Sequence, residues 1–435
     1  VGKNDIVACQ LPNWWQFTIT YLACSRIGAV MNPLMHIFRE RELSFMLKHG
    51  EAKVLIVPQT FRGFDFEQMA NGLRASLPDL QHIVVVNGGG ANSFEALLSG
   101  PAWENEADAQ AILTRHRPGP DAVTQVIYTS GTTGEPKGVM HTANTVMANI
   151  LPYARRLQLD AEDVVLMASP MAHQTGFMYG LMMPIILKAS AVMLDVWEPL
   201  KAIDLVRSER CTFTMASTPF LTDLAKQVAE SGRDVPTLAT FLCAGAPIPG
   251  PLVEQARAVL GTKIVSAWGM TENGAVTLIQ LDDPDERAFT TDGVALPGVE
   301  LKVVESDASG PALPAGSPGK LYVRACSNFG GYLKRAHLNG TDADAENRQT
   351  HGQADQRGVQ AVLAVVLVTG ACVLPGPEQV DRDERDRRNA GEAEPEGDVA
   401  LGALFRPGAL YRPTITAVDD IDAIEIGTQL DQVVA

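Results

Sequence analysis

Between Asp5 and Gly269 short apolar runs alternate with segments of helical spacing. The runs "DIVACQL", "AVMNPL" and "AKVLIVP" are separated by "WWQFTITYLACSRI" and "RERELSFMLKH". In the first of these spacers Trp14, Phe17, Tyr21, Leu22 and Cys24 fall near helical spacing. Strands that alternate with helices imply parallel βαβ units with helices on both faces of the sheet. The pattern returns in "DVVLMASP", "SAVMLDV", "CTFTMAST", "ATFLCAG" and "TKIVSAWG", with the helical segments "FLTDLAKQVAES" and "PLVEQARAVL" among them. The expected class is α/β, with a βαβ-layered core over residues 1–292. Asn13 is placed to cap the first helix, Gly28 to stop it, and Gly50 to follow the second. From Gly293 to Arg324 short strands between Gly/Pro turns ("LPGVELKVVE", "GKLYVRA") predict a small β subdomain, taken as 293–344.

After about Asp344 this pattern cannot be laid on the chain. The 101 residues that follow Lys334 hold no lysine, nine arginines and 18 acidic residues, a net charge of −9. They include the mixed-charge run "DRDERDRRNAGEAEPEGD", and their aromatics are Phe405 and Tyr411. Such composition favours a solvated, irregular segment. Residues 345–435 are therefore expected to form an atypical tail without a compact domain.

The whole chain has 435 residues, room for two to four domains at roughly 150 residues each. Its net charge of −16 argues against a nucleic-acid partner, which would meet a basic surface. The six cysteines include no C-x-x-C pair, so neither a zinc site nor a disulfide framework is expected, and a reducing cytoplasm fits. No signal peptide is read at the start. The apolar run "VQAVLAVVLVTGACVL" is shorter than the ~20 residues that span a bilayer.

One stretch cannot build a core. "YTSGTTGEPKGVMHT" (Tyr128 to Thr142) is a loop of hydroxyls, glycines and one cation after the apolar strand "AVTQVIY". Glycines let backbone N–H groups approach a ligand, successive N–H groups make an anion-binding concavity, and Lys137 adds a charge. A flexible surface turn is the bland alternative. The nucleotide-triphosphatase loop is excluded by spacing: Gly131 and Gly134 are separated by two residues, and Gly138 follows Lys137. The dinucleotide fingerprint fails because the loop has no G-x-G.

Three further stretches fall at expected strand ends, where open parallel sheets bind ligands. They are "SPMAHQTGF", "CAGAPIP" and "SAWGMTENG". Singly, Glu272 reads as a solvated acid, His173 as a loop histidine, Trp268 as core and His141 as structural. In this order and spacing the four stretches resemble the adenylate-forming superfamily of acyl-CoA synthetases, firefly-type luciferases and peptide-synthetase adenylation domains. "YTSGTTGEPKG" resembles its phosphate loop and "WGMTE" its second signature. The first half of the chain is similar to ligases for cyclohexanecarboxylate or short-to-medium-chain acids.

The resemblance implies two βαβ-type sheets plus the small β subdomain. It implies that Thr129, Ser130, Gly131, Thr132, Thr133, Gly134 and Lys137 hold the β- and γ-phosphates of ATP. It places Thr271 at the α-phosphate, Glu272 on Mg2+, Gly245, Ala246 and Pro247 along the adenine, and Trp268 and Gly269 near it. His173 would stand beside the carboxylate and the acyl pocket, for which "GFMYGLMMPI" is apolar enough; a buried helix would look the same. The substrates implied are a small carboxylic acid, ATP and coenzyme A.

The resemblance covers about residues 1–344 and is incomplete at both ends. The family has a further strand and helix ahead of "GKNDIVA". It also has an aromatic-x-T-G-D segment whose Asp holds the ribose, where this chain reads "AENRQTHGQADQRG", and a late lysine that reaches the α-phosphate. Two expectations therefore stand together. By family the chain is a carboxylate–CoA ligase acting through an acyl-adenylate. In turnover it is expected to behave as an inactive nucleotide-binding fragment.

Overall fold

The computed structural model describes residues 1–100, 105, 108–129, 135–305 and 310–335. The tail expected over 345–435 lies outside the described residues, as do Ser130, Gly131, Thr132, Thr133 and Gly134.

The first sheet contains Ile6–Cys9 (β1), Val30–Pro33 (β2), Val54–Pro58 (β3), His82–Val86 (β4), Val123–Thr129 (β5) and Lys137–Thr142 (β6). Its order is β4-β3-β1-β2-β5-β6. All neighbours run parallel except β5 and β6, which form an antiparallel hairpin. Every residue of β1, β2 and β3 is buried, the condition that continuous apolar runs serve in a sheet covered on both faces. Val7 thus pairs with Met31 on one side and Val54 on the other.

The second sheet contains Val164–Met167 (β7), Ser190–Met193 (β8), Phe213–Ala216 (β9), Thr240–Ala244 (β10), Lys263–Met270 (β11), Gly274–Leu278 (β12) and Val294–Ala295 (β13). Its order is β8-β7-β9-β10-β11-β12-β13, parallel as far as β11 and antiparallel beyond. Both sheets therefore end in the same device, a parallel run closed by a hairpin. A separate antiparallel pair, Val299–Val304 (β14) with Lys320–Ala325 (β15), occupies the region whose texture changes.

The wedge between the sheets is the π-helical segment Gly176–Met182. Phe177 and Leu181 pack with Phe17, Tyr21 and Met31 of the first sheet's cluster. Met178 and Tyr179 pack with Tyr153, Met167 and Phe213 of the second. Phe177, Met178, Tyr179 and Leu181 are all buried, so the apolar "GFMYGLMMPI" begins as core between two layers.

Two local expectations change. Asn13 does not cap the helix Trp15–Ile27; Trp14 holds that position without a side-chain bond, because Asn13 is engaged across the molecule. Gly28 does end that helix, in the left-handed region at φ 69°. Gly50 is the last residue of the helix Glu40–Gly50, and Glu51 takes the left-handed cap at φ 51°. Strand β4 has no counterpart among the runs singled out from the sequence.

Candidate active site

The β5–β6 hairpin carries the Gly-rich loop. Its ladder pairs Tyr128 with Gly138 and Thr129 with Lys137, so both ends of the loop are fixed. The Thr129 hydroxyl donates to the Lys137 carbonyl at 3.5 Å. Strand β6 runs directly into the helix Ala143–Arg156 through a capping box. Thr142 Oγ1 accepts from the Thr145 N–H at 3.1 Å, and Thr145 Oγ1 accepts from the Thr142 N–H at 3.0 Å. Between strand and cap stands His141, completely buried. Its Nε2 lies 2.7 Å from the Thr271 carbonyl and its Nδ1 3.0 Å from Thr145 Oγ1. A carbonyl only accepts, so Nε2 carries the proton. Burial pushes the His141 pKa down to about 4, so the ring is neutral at pH 7.

The β11–β12 hairpin carries Thr271 and Glu272. Gly269 is demanded by the hairpin itself, because a Cβ there would sit 1.9 Å from the Gly274 carbonyl oxygen. The turn is held from within by the Met270 N–H, which donates to Asn273 Oδ1 at 3.1 Å. It is held from behind by Asn149, whose Nδ2 donates to the carbonyls of Asn273 (3.0 Å) and Ala275 (2.7 Å). Asn149 Oδ1 in turn accepts from the Tyr179 hydroxyl at 2.6 Å, and that hydroxyl accepts from the Ala275 N–H at 2.8 Å. This closed network ties the Glu272 turn to the wedge between the sheets.

A third segment, Ser327–Arg335, joins the two hairpins. It runs antiparallel along β6: Gly330 N–H donates to Met140 O (2.8 Å), Met140 N–H to Gly331 O (3.1 Å) and Leu333 N–H to Gly138 O (2.8 Å). The Phe329 N–H donates to the Glu272 carbonyl at 2.7 Å. These bonds deliver Tyr332, which is buried, to the space between the hairpins. Its hydroxyl donates to Glu272 Oε1 at 2.9 Å, and the Lys137 ammonium lies 4.8 Å from its ring centroid. Glu272 is 8% exposed. Burial raises its pKa above the usual carboxylate value, against the lowering pull of the Tyr332 hydrogen bond and the Lys137 charge. Tyr332 is the member of this cluster that sequence reasoning did not single out. Its local signal is the aromatic after Gly-Gly in "NFGGYLK", within the stretch that resembles the family.

The other candidates sit around this cluster. Gly245, Ala246 and Pro247 leave the end of β10 exposed, with Gly245 at φ 91°. Trp268 is half-buried and packs with Val276, Leu301 and Val323, beneath the β14–β15 pair. His173 lies on a separate loop, and no contact joins it to Lys137 or Glu272 among the described residues. Its Nδ1 accepts from the Thr175 N–H at 3.2 Å, which leaves Nε2 as the donor of the neutral ring. Surrounding protein lowers the His173 pKa by desolvation, although its side chain reaches solvent. Asn13 fixes this loop from the first sheet: its Nδ2 donates to Ser169 O (3.0 Å) and Leu194 O (3.1 Å), and its Oδ1 accepts from Met171 N–H (2.7 Å).

Among the described residues no group of three or more His, Cys, Asp or Glu side chains could form a metal cage. Glu272 is a single hard oxygen donor. That suits a cation such as Mg2+, which takes one or two carboxylates and fills its shell with phosphate oxygens and water.

The family model described as AMP-binding enzyme matches residues 1–333. The medium-chain fatty-acid–CoA ligase of Escherichia coli (strain K12) is 36% identical over 346 residues, which are 80% of this chain and 60% of that protein. A salicylyl-CoA synthase / salicylate adenylyltransferase of a Streptomyces species is 29% identical over 344 residues, 78% of this chain and 62% of that protein. The chain thus spans less than two thirds of either relative. Among solved structures, the inhibitor-bound N-terminal domain of FACL13 from Mycobacterium tuberculosis superposes with a TM-score of 0.67 at 23% identity, covering 78% of this chain and 80% of that one. A long-chain-fatty-acid-CoA ligase (FadD1) from Archaeoglobus fulgidus gives 0.65 at 25% identity, covering 78% and 66%.

Proposed function

The chain belongs to the AMP-binding enzyme family, and from that premise we propose that it is an AMP-forming acyl-CoA synthetase. It would join a carboxylic acid to coenzyme A with ATP. The observation that carries this reading is the convergence of Lys137 and Glu272, from the tips of two different hairpins, on one buried tyrosine. A cation for phosphate and a carboxylate for a metal ion meet where the two sheets end alike. The acid is proposed to be a short-to-medium-chain one, in keeping with the printed name of the Escherichia coli relative. A cytoplasmic location is part of the same proposal; among the described residues no helix is long and apolar enough to cross a membrane.

The proposed chemistry has two steps. The acid's carboxylate attacks the α-phosphorus of ATP, the bond to pyrophosphate breaks, and an acyl-adenylate forms. A thiolate of coenzyme A then attacks the acyl carbon, and AMP leaves. The first step brings two anions together, so positive charge and hydrogen-bond donors must face the developing charge. Lys137, Thr129 and the loop Ser130–Gly134 would hold the β- and γ-phosphates, and Thr271 would face the α-phosphate. Mg2+, when bound, neutralises phosphate charge, and Glu272 is the residue that would hold it. Gly245, Ala246 and Pro247 would form a shelf for the adenine, with Gly269 and Trp268 beside it. His173 would offer its Nε2–H to the acid's carboxylate, held in place by the Asn13 anchor.

The rival expectation is nucleotide binding without turnover. The two part on a sample that melts cooperatively. Pyrophosphate release from ATP is measured with cyclohexanecarboxylate and with straight-chain acids from butanoate to dodecanoate. Acid-dependent release at about 1 per second or faster, ordinary for enzymes, supports the ligase. Background release with retained ATP binding supports the rival, and absence of both removes the nucleotide site.

A further inference from the structure

We propose that Tyr332 is a positioning residue that keeps Lys137 and Glu272 from pairing with each other. It thereby leaves the ammonium facing phosphate and the carboxylate facing the cation. The proposal rests on the nucleotide site described above and adds a role for a side chain outside its motifs.

Lys137 and Glu272 stand against the same tyrosine, one at its ring and one at its hydroxyl. Yet among the described residues neither forms an ion pair with any side chain. Opposite charges that share a partly buried space attract strongly, and a closed pair would have to be broken before either ligand entered. The tyrosine touches both groups and gives each charge a different partner. Its ring face takes the ammonium as a cation–π contact at 4.8 Å. Its hydroxyl gives the carboxylate a charge-assisted hydrogen bond at 2.9 Å. Neither contact neutralises its charge, so both can be exchanged for phosphate or a cation.

Tyr332 is itself fixed. It bridges to Val139 on β6, flanked by the Gly330–Met140 and Leu333–Gly138 bonds. Phe329 meets its ring at 4.7 Å between centroids, and the Phe329 N–H holds the Glu272 main chain. The competing view is an aromatic that merely fills space beside Phe329. That view explains the ring but gives the hydroxyl no part in spacing charges.

The first test uses no nucleotide. Lys137→Met and Glu272→Gln are combined in a double-mutant cycle on the unfolding equilibrium, once with Tyr332 in place and once in the Tyr332→Leu background. The expected coupling is under about twofold with the tyrosine and tenfold or more without it, as residues in direct contact show. Equal coupling in both backgrounds overturns the proposal. The second test titrates ATP into the full chain and into Tyr332→Phe, with Mg2+ and with a chelator. The phenylalanine keeps the ring and removes the hydroxyl. Loss of a ligand's supporting partner typically costs about 10–100-fold in metal affinity. The gain in ATP affinity on adding Mg2+ should therefore shrink about tenfold, while affinity in chelator stays the same. Equal losses in both conditions, or none in either, overturn the positioning role. If Tyr332→Leu does not fold, Tyr332→Phe decides. If the unmodified chain binds no ATP, the proposed function fails, and the nucleotide-free cycle still decides whether Tyr332 separates the two charges.

Discussion

Two turns at one edge of the second sheet are built in opposite ways. Strands β10 and β11 are parallel neighbours, paired as far as Ala244 with Ala267, so their C-terminal ends adjoin. The chain leaves β10 through Gly245, Ala246 and Pro247, which are exposed and which no described side chain hydrogen-bonds. It leaves β11 through Thr271, Glu272 and Asn273, which are gripped by His141, Phe329, Tyr332 and Asn149. A flat, neutral ligand surface needs little more than clear backbone. A buried carboxylate needs its partners in place beforehand, because reorganising dipoles around a charge is costly. The clamped turn is where charge would be handled, and the open one is where shape would be.

If that contrast is real, damage to the clamped turn should propagate and damage to the open turn should not. The largest effect is expected from pH. Folded His141 stays neutral down to about pH 4, whereas an unfolded histidine takes up its proton near 6.5. Between those values the unfolded chain binds more protons. The stability that His141 contributes is therefore complete above pH 6.5 and is lost as pH falls toward 4. The full shift corresponds to on the order of 3 kcal/mol. Glu272, whose pKa burial raises, opposes this trend in part. Denaturant unfolding of wild type and His141→Gln at pH 7 and pH 4.5 separates the two. The wild type should lose more stability on acidification than the variant, and equal losses would remove His141 from the clamp.

Next in size is Asn149→Ala. It strands the Tyr179 hydroxyl and two carbonyls in the core, at about 1–3 kcal/mol for an unpaired buried group. Unfolding midpoints should fall accordingly. A change within about 0.5 kcal/mol would mean that the network behind the Glu272 turn is dispensable. The smallest effect is expected at the open turn. A Cβ on Gly245 meets nothing within 4 Å, so Gly245→Ala costs only the left-handed backbone at φ 91°, about 1–2 kcal/mol. A larger loss of stability would show that this turn is also held by packing.

The same contrast explains what the sequence made legible. Most parallel strands of both sheets, though not β4, stand out because parallel strands buried on both faces must be apolar throughout, as β1 and β3 are. The loop ending at Lys137 and the "WGMTE" turn stand out because their residue types suit phosphate and metal and poorly suit a core. The clamp is invisible because it is long-range. Asn13 looks like a local helix cap, yet its partners are Ser169, Met171 and Leu194. His141 looks structural and is, but what it holds is Thr271, 130 positions away. Tyr332 lies within the stretch that resembles the family but has no role assigned by the sequence, and only the folded chain brings it against both Lys137 and Glu272. Glu51 in a left-handed cap defeats local rules that reserve that place for glycine or asparagine.

The two hairpin tips are proposed to form one anion-and-cation site. Its most direct test is calorimetric titration of ATP with Mg2+ into the folded chain and into Lys137→Ala. A charge-assisted contact to phosphate contributes about 1.5–3 kcal/mol, so the variant should bind roughly tenfold more weakly or worse. Equal affinity in the two proteins would contradict the account, since the lysine brought against Tyr332 would then have no part in holding the nucleotide.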